Sequence, residues 1–292
     1  MSLTAVLFNL MALKSDRKRD AQLKIPPSVE ALRDLSYGPH GRWNLLDLYL
    51  PREAERPLPV IVSVHGGGWV YGTKETYRYY CSDLARRGFA VVNFSYRLAP
   101  KNKFPAAMED TNEAFRWLTE NAGQYGLDAS RVFAVGDSAG AQMLGAYACI
   151  LTDPDYAARY PFRAPEGLKL RAVALNCGVY QVSLSGKRDA TAALMRDVLP
   201  GGGTPEELDT VSVLRHVTPG FPPAFVMTGS GDFLAEQAPP LVERLKELSV
   251  ETEYRYYGDE QKVLGHVFHC NQSMPEATRC NDDECAFFRR FL

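Results

Sequence analysis

Short runs of β-branched and aromatic residues alternate with helical patterns along this chain from about residue 57 onward. The runs are "PVIVSV" from Pro59, "FAVVNFS" from Phe89, "RVFAV" from Arg131, "RAVALN" from Arg171, "PAFVMT" from Pro223 and "TEYRYY" from Thr252. Most are continuously apolar, which is typical of strands covered on both faces. The alternation predicts one α/β domain over residues 1–292, with a mostly parallel central sheet and helices on both faces.

Two segments interrupt this alternation. Before residue 57, "DLSYG" from Asp34 and "NLLDLYL" from Asn44 predict a leading antiparallel strand pair. After Cys177, the single helix expected between strands is replaced by a long insertion that contains "LPGGGTPEELD", in which Thr204 and Pro205 are typical of a helix start. Insertions at the carboxyl edge of such a sheet usually shape the ligand site.

The N-terminal segment "MSLTAVLFNLMALKSDRKRD" predicts an amphipathic helix. Leu3, Val6, Leu7 and Leu10 fall on one helical face, so we expect this face to dock on the body of the protein. Its apolar stretch is shorter than the roughly 20 residues that a membrane span needs, and no positive charge precedes it as in a signal peptide. We therefore expect no stable membrane insertion.

Charge and cysteine content narrow the class of protein. The 33 basic and 35 acidic residues give a net charge of −2, so no global field attracts nucleic acid, and none is expected as a partner. Six cysteines spread through a long chain fit a reduced, cytoplasmic protein better than a disulfide framework. A homodimer remains compatible with the sequence.

The stretch "AVGDSAGAQM", from Ala134, places a tight polar turn between an apolar strand and an Ala-rich helix. In a G-x-S-x-G turn of this kind the serine is held in a strained conformation, and its hydroxyl projects from the sheet edge at a helix N-terminus. Small neighbours let the strand and the helix pass close together. Ser138 is therefore the candidate nucleophile.

A serine hydroxyl needs a base to remove its proton and a carboxylate to orient that base. Of the five histidines, His266 follows the last predicted strand, where a loop can carry it over Ser138; His269 is the alternative. Asp232 ends "PAFVMTGSGD" after the penultimate strand, and Asp259 is the alternative carboxylate. The chain order Ser138, Asp232, His266 is the order found in α/β-hydrolases.

Acyl transfer also needs donors for an oxyanion, and "VSVHGGGWVYG" leads an apolar strand into three glycines. The backbone N–H groups of the three glycines, Gly66 to Gly68, can approach a substrate oxygen, and that of Ala139 can join them. Four neighbouring residues are candidates for the substrate pocket: His65, Trp69, Tyr71 and Asp137.

Six motifs together closely resemble the hormone-sensitive-lipase-like branch of the α/β-hydrolases, which includes bacterial acetyl esterases. They are "HGGGW", "YRLAP", "FPAAMED", "GDSAG", "GSGDFL" and "GHVF", and they span about residues 45 to 292 in family order. The resemblance implies a triad of Ser138, Asp232 and His266 and an oxyanion hole formed by the N–H groups of Gly67, Gly68 and Ala139. It also implies a cap formed by residues 1–40 and 180–216 over the acyl pocket. It also implies hydrolysis of short-chain acyl esters through an acyl-enzyme intermediate.

Other functions remain as alternatives. An arylformamidase uses the same chemistry on a formamide, and plant hormone receptors of this fold bind a ligand after losing the catalytic histidine; the presence of His266 argues against the receptor reading. Gly140-Ala141 replaces the Gly-Gly of many relatives. The C-terminal residues His269, Cys270, Cys280 and Cys285 lack the regular spacing of a zinc site, so we predict no metal and no cofactor.

Overall fold

Eight strands form one sheet in the computed structural model, which describes residues 2–184 and 190–292. The strands are β1 (Val29–Ser36), β2 (Leu45–Pro51), β3 (Leu58–Val64), β4 (Ala90–Phe94), β5 (Leu127–Asp137), β6 (Leu170–Asn176), β7 (Ala224–Gly229) and β8 (Thr252–Tyr257). Their order is β1-β2-β4-β3-β5-β6-β7-β8. β2 pairs antiparallel with β1 and β4, and the other neighbours are parallel. The predicted mostly parallel sheet with a leading antiparallel pair is confirmed.

Helices cover both faces of this sheet. In the described ranges they are α1 (Leu3–Asp20), α2 (Lys74–Ala85), α3 (Ala106–Tyr125), α4 (Ala139–Thr152), α5 (Pro154–Ala157), α6 (Ala190–Val198), α7 (Pro205–Val211), α8 (Ala238–Glu247) and α9 (Pro275–Arg289). α2 and α9 pack on one face, and α3, α4 and α8 pack on the other. The fold class predicted from the sequence is therefore confirmed.

Two apolar cores, one on each face, hold the layers together. On the face covered by α3 and α4, Phe115 stacks on Tyr147 with ring centroids 4.7 Å apart. On the opposite face, Phe133 stacks on Phe288 of α9 at 5.0 Å. These four rings are fully buried, and burial of such side chains is the main source of folding free energy.

The parallel strands place several loops at one edge of the sheet. β3 runs into the glycine loop, β5 into the Ser138 turn, β7 into the Asp232 loop and β8 into the His266 loop. Parallel strands end at a common edge, so these four loops meet there although they are up to 200 residues apart in sequence.

The N-terminal helix docks with a different face from the one predicted. Leu3, Val6, Leu7 and Leu10 are exposed, with Leu3 at 74% and Leu10 at 60%, so the expectation that they face the protein is wrong. The inward side of the helix is mixed: Ala5 is fully buried, and Phe8 packs against the core. Beside them Asn9 Nδ2 donates to the Val70 carbonyl, Asp16 accepts from the Tyr71 hydroxyl, and Arg19 donates to the Thr76 carbonyl. The helix therefore docks through a small apolar contact and specific hydrogen bonds, and not through the predicted apolar stripe.

The two segments predicted as a cap contribute to different parts of the fold. Of residues 1–40, α1 lies against α6, while Val29–Ser36 is edge strand β1 of the sheet itself. Of residues 180–216, α6 and α7 are helical, and residues 185–189 of that prediction lie outside the described residues. Thr204 caps α7 as predicted, accepting from the Glu207 N–H at 3.3 Å.

None of the helices in the described ranges is long and apolar enough to cross a membrane.

A single methyl group tests how closely α4 approaches β3. A β-carbon at Gly140 would lie 2.1 Å from the Val64 carbonyl oxygen. We expect Gly140→Ala to lower the free energy of unfolding by about 1–3 kcal/mol, as overpacking does. Gly123→Ala, in the last turn of α3 where nothing lies within 4 Å, is the control and should raise it by up to about 1 kcal/mol. Urea unfolding measures both; equal stabilities for the two variants would contradict the close approach.

Candidate active site

Ser138 occupies a backbone conformation that L-residues rarely adopt. Its φ is 53° and its ψ is −118°, at the junction of β5 and α4. The Ser138 N–H donates to the carbonyl of Asn176 on β6 at 2.9 Å, which ties the turn to the sheet. A β-carbon at Gly136 would lie 2.5 Å from the Gly140 carbonyl oxygen, so only glycine fits where the chain doubles back. The strain predicted from the motif is present, and the half-buried hydroxyl points out of the sheet edge.

Three side chains form a continuous chain of hydrogen bonds at this edge. Ser138 Oγ lies 2.9 Å from His266 Nε2, and His266 Nδ1 lies 2.7 Å from Asp232 Oδ1. The imidazole is 20% exposed, whereas the Asp232 side chain is completely buried. The structure thus brings together the three residues that the sequence singled out, although Ser138 and His266 are 128 positions apart.

Backbone pairing between two loops fixes the distance from Asp232 to His266. Gly231 and Gly265 form a parallel bridge, and the Gly231 N–H donates to the Leu264 carbonyl at 2.8 Å. The Ser230 hydroxyl oxygen accepts from the Leu264 N–H at 3.1 Å. These contacts join the two loops, and Asp232 and His266 each directly follow a residue of the bridge.

Asp232 is held as a carboxylate despite its burial. Burial raises the pKa of Asp232, but hydrogen bonds from His266, the Leu234 N–H and Thr228 outweigh it and lower the pKa to about 2. A carboxylate of this kind accepts the Nδ1 proton of the imidazole and stabilises the imidazolium that forms when Nε2 takes a proton.

The glycine loop after β3 lies beside the first turn of α4. Gly67, Gly68 and Trp69 all have positive φ, and a β-carbon at Gly67 would lie 2.2 Å from the Tyr71 carbonyl oxygen. Within the described part of the chain, the N–H groups of Gly67, Gly68 and Ala139 donate no hydrogen bond. Unpaired N–H groups at the start of a helix and in a glycine loop are suited to a developing oxyanion.

Two of the four predicted pocket residues lie beneath the loop and not in a pocket. His65 is fully buried, stacks on Tyr96 at 3.9 Å, and bonds the Gly66 carbonyl oxygen; burial lowers its pKa to about 4. Asp137 is 2% exposed and accepts from the Tyr77 hydroxyl at 2.6 Å. Burial raises the pKa of Asp137 to about 6, although the Tyr77 hydrogen bond lowers it. Both residues brace the loop from below, and neither lines the two cavities that Trp69 and Tyr71 border.

The other two predicted pocket residues do line cavities. Tyr71 borders an outer groove beneath α1. Trp69 donates from Nε1 to Gln142 Oε1 at 3.0 Å and borders an apolar cavity between α4 and the insertion. The remaining apolar walls of that cavity include Phe104, Met108, Met143, Met195, Val198 and Val211.

The alternative histidine and carboxylate are both away from Ser138. His269 is fully buried, with Tyr80 edge-on at 5.1 Å, and burial lowers its pKa to about 3. Asp259 accepts N–H groups from Gln261 and Lys262 in a turn of its own. Neither side chain has a hydrogen bond to the serine.

A buried carboxyl below the turn was not predicted from the sequence. Glu284 on α9 is fully buried and accepts from Asn176 Nδ2 at 2.7 Å and from the Tyr80 hydroxyl at 3.1 Å. Burial raises its pKa to about 7, although both hydrogen bonds lower it. Because Asn176 also accepts the Ser138 N–H, Glu284 links α9 to the strained turn. A lone Glu in a helical pattern carries no sequence signal for such a role.

Two groups of side chains in the described ranges have the ligand types of a metal site. Cys177, Asp232 and His266 form one, and Asp137, His269 and Cys270 form the other. In the first, His266 and Asp232 are already joined by the hydrogen bond described above. In the second, Asp137 accepts from Tyr77. Cys280 and Cys285, named in the sequence with His269 and Cys270, lie on α9 and belong to neither group.

Comparison with known proteins gives consistent results. A family model described as alpha/beta hydrolase fold matches residues 61–269. Carboxylesterase NlhH of Mycobacterium tuberculosis is 36% identical over 147 residues, covering 47% of this chain and 44% of that protein. Ethyl acetate hydrolase of Pseudomonas putida is 39% identical over 121 residues, covering 40% and 36%. The matches thus span less than half the length of these two relatives.

Among solved structures, esterase B of Lactobacillus rhamnosis, inhibited by a tributyrin phosphonate, superposes with a TM-score of 0.90. It is 25% identical in sequence, and the alignment covers 98% of this chain and 94% of that one. Here the similarity extends over nearly the whole of both chains.

The buried Glu284 predicts a pH-dependent stability. Its folded-state pKa, about 7, is above its ordinary value of 4.5, so its contribution is fully present below pH 4.5 and is lost as pH rises through 7. Glu284→Gln removes this loss. The difference in free energy of unfolding between Glu284→Gln and the unsubstituted protein should rise between pH 4.5 and about 7, by up to about 1.4 kcal/mol per pH unit, and level off above that. Urea unfolding across this range measures it, with the exposed Glu260→Gln as control. A constant difference across the range would contradict an uncharged Glu284.

Proposed function

This chain belongs to the hormone-sensitive-lipase-like branch of the α/β-hydrolase family, and from that premise we propose that it hydrolyses carboxylic esters of short acyl groups. The observation that carries the proposal is the chain of hydrogen bonds from Ser138 through His266 to Asp232. Fold alone would not be enough, since proteins of one fold have many functions.

In the proposed reaction Ser138 is the nucleophile. His266 Nε2 takes the hydroxyl proton as Oγ attacks the ester carbonyl, and Asp232 stabilises the resulting imidazolium. The imidazolium then gives the proton to the alcohol oxygen as the C–O bond breaks, which leaves an acyl-enzyme. Water, activated by the same imidazole, releases the acid and restores Ser138.

The proposed oxyanion hole consists of three backbone N–H groups, those of Gly67, Gly68 and Ala139. Their lack of other acceptors within the described part of the chain supports this role. Each such donor typically contributes on the order of 3 kcal/mol to transition-state stabilisation. Close packing of Gly140 against the backbone of Val64 and His65 brings the start of α4 to the beginning of the glycine loop, which supports a shared oxyanion site.

The apolar cavity beside Trp69 is the proposed acyl pocket. Gln142 and Met143, one turn of α4 after Ser138, form part of its wall, which places the cavity about one helical turn from the nucleophile. Met195 and Val198 of α6 close it from the insertion side. We accordingly propose that α6 and α7, with α1 against α6, act as a cap.

The names of two similar proteins, an ethyl acetate hydrolase and an esterase inhibited by a tributyrin phosphonate, are consistent with short acyl groups.

We also propose a small-molecule substrate and a cytoplasmic location. All six cysteines are buried and unpaired, which suits a reducing compartment.

Removing members of the triad tests the proposed mechanism. Ser138→Ala, His266→Ala and Asp232→Asn should each lower kcat for p-nitrophenyl acetate by about 10⁴-fold or more, because base, nucleophile and orienting group act together. His269→Gln is the control; His269 forms no hydrogen bond to Ser138 or Asp232, so this variant should change kcat by less than about tenfold. If His269→Gln lowered kcat by about 10⁴-fold while His266→Ala changed it by less than about tenfold, the base would be His269 and not His266.

The length of the acyl chain tests the proposed pocket. We expect kcat/KM for p-nitrophenyl esters to be highest at about two to four acyl carbons, because longer chains meet the α6 wall before they gain about 0.8 kcal/mol per buried methylene. Met195→Ala should shift the optimum to longer chains. Leu245→Ala, buried in α8 away from the cavity, should not. A steady rise of kcat/KM up to the decanoate ester in the unsubstituted protein would contradict a short pocket.

A further inference from the structure

Phe233 is an aromatic side chain left open to solvent beside the reacting groups. It directly follows Asp232 and is 71% exposed. Its ring centroid lies 4.3 Å from that of His266, with 44° between the ring planes. Burial of a phenylalanine ring is favourable, and with this ring largely exposed most of that free energy is unused in the free protein.

The main chain around Phe233 is held on both sides. The Leu234 N–H donates to Asp232 Oδ1 at 2.9 Å, and the Ala235 N–H donates to the Asp232 carbonyl at 3.1 Å. Leu234 itself packs against the core. The exposed ring is therefore carried on the same turn that fixes the carboxylate, so its position relative to His266 is determined by the site itself.

A second exposed apolar residue extends this surface. Val263 is 65% exposed, and a β-carbon at Gly231 would lie 2.5 Å from Val263 Cγ1. Val263 thus lies next to Gly231, two residues before Phe233, and the bridge from Gly231 to Gly265 joins this segment to the His266 loop. Together Val263 and Phe233 form an apolar rim on the His266 side of the site.

The chemistry of ester cleavage determines which half of the substrate reaches this rim. When the C–O bond breaks, the alcohol oxygen takes the proton held by His266 Nε2, so it must lie about 3 Å from that nitrogen. The acyl carbon stays bonded to Ser138 Oγ. The alcohol moiety therefore lies next to His266, and the free face of Phe233 is within reach of a substituent on that oxygen.

We propose that Phe233 forms the alcohol subsite, and that the preferred substrates are esters of aromatic alcohols, such as phenols. This inference rests on the proposed ester hydrolysis and adds to it the class of the leaving group. Ring-on-ring contact with the alcohol favours offset or edge-on arrangements, which the open face of Phe233 allows. The ester's acyl–oxygen bond breaks, the Ser138 acyl bond forms, and the serine proton passes through His266 to the released phenol.

The experiment compares two acetates that differ only in the alcohol. For Phe233→Ala, we expect kcat/KM for phenyl acetate to fall about three- to tenfold, as loss of an aromatic contact does, and kcat/KM for ethyl acetate to change by less than about twofold. Phe233→Leu should fall between Phe233→Ala and the unsubstituted protein. Tyr256→Ala, an exposed aromatic residue of β8, is the matched control and should leave both values unchanged.

Deacylation separates an alcohol contact from support of the triad. All acetates form the same acetyl-enzyme, so its hydrolysis, measured after a burst of p-nitrophenol, no longer involves the alcohol. We expect the deacylation rate constant of Phe233→Ala to equal that of the unsubstituted protein.

Three results would overturn the inference. An equal loss for both acetates, or slower deacylation, would mean that the ring supports His266 and not the alcohol. No change with either acetate would mean that the ring is not part of the site. If the unsubstituted protein hydrolysed neither acetate, the proposed function and the subsite would both be wrong, whereas the first two results leave ester hydrolysis intact.

Discussion

The backbone of Ser138 is the constraint on which the remaining site geometry depends. A φ of 53° in a residue with a β-carbon persists only where its surroundings enforce it. Here the enforcement comes from close packing: the Ser138 N–H is bonded to β6, and Gly140 rests on the carbonyl oxygen of Val64 with no room for a methyl group. Relaxing this turn would move Oγ out of reach of His266 and the Ala139 N–H away from the glycine loop.

Beneath the turn, buried polar groups transmit this constraint to distant elements. Asp137 reaches α2 through Tyr77, and Glu284 on α9 reaches Asn176 on β6. Neither carboxyl has a cation within hydrogen-bond distance among the described residues, and burial raises the pKa of each. A neutral carboxyl can be buried with only its hydrogen bonds satisfied, whereas a charged one would need a partner. Helices on one face of the sheet thereby brace a turn whose own helix packs on the other face.

Local signals made the strands and the Ser138 turn predictable, because buried strands and a glycine-flanked turn each need particular residues in a short stretch. Helix α9 was not predicted because its inward face carries Asn281 and Glu284 among apolar residues, which breaks the helical period. The inward face of α1 was assigned wrongly, since its orientation depends on partners far away in sequence. Phe233 gave no signal either, because its proximity to His266 exists only once two loops have paired.

The most direct test of the central claim, that the strained Ser138 is the activated nucleophile, is the site of covalent labelling. The protein would be treated with a p-nitrophenyl phosphonate and digested, and the modified residue would be identified by mass spectrometry. The account predicts one phosphonyl group per chain, attached to Ser138 Oγ, and none after unfolding in urea, when the imidazole no longer activates the hydroxyl. Labelling of another serine in the folded protein, or equal labelling of Ser138 in the unfolded chain, would contradict it.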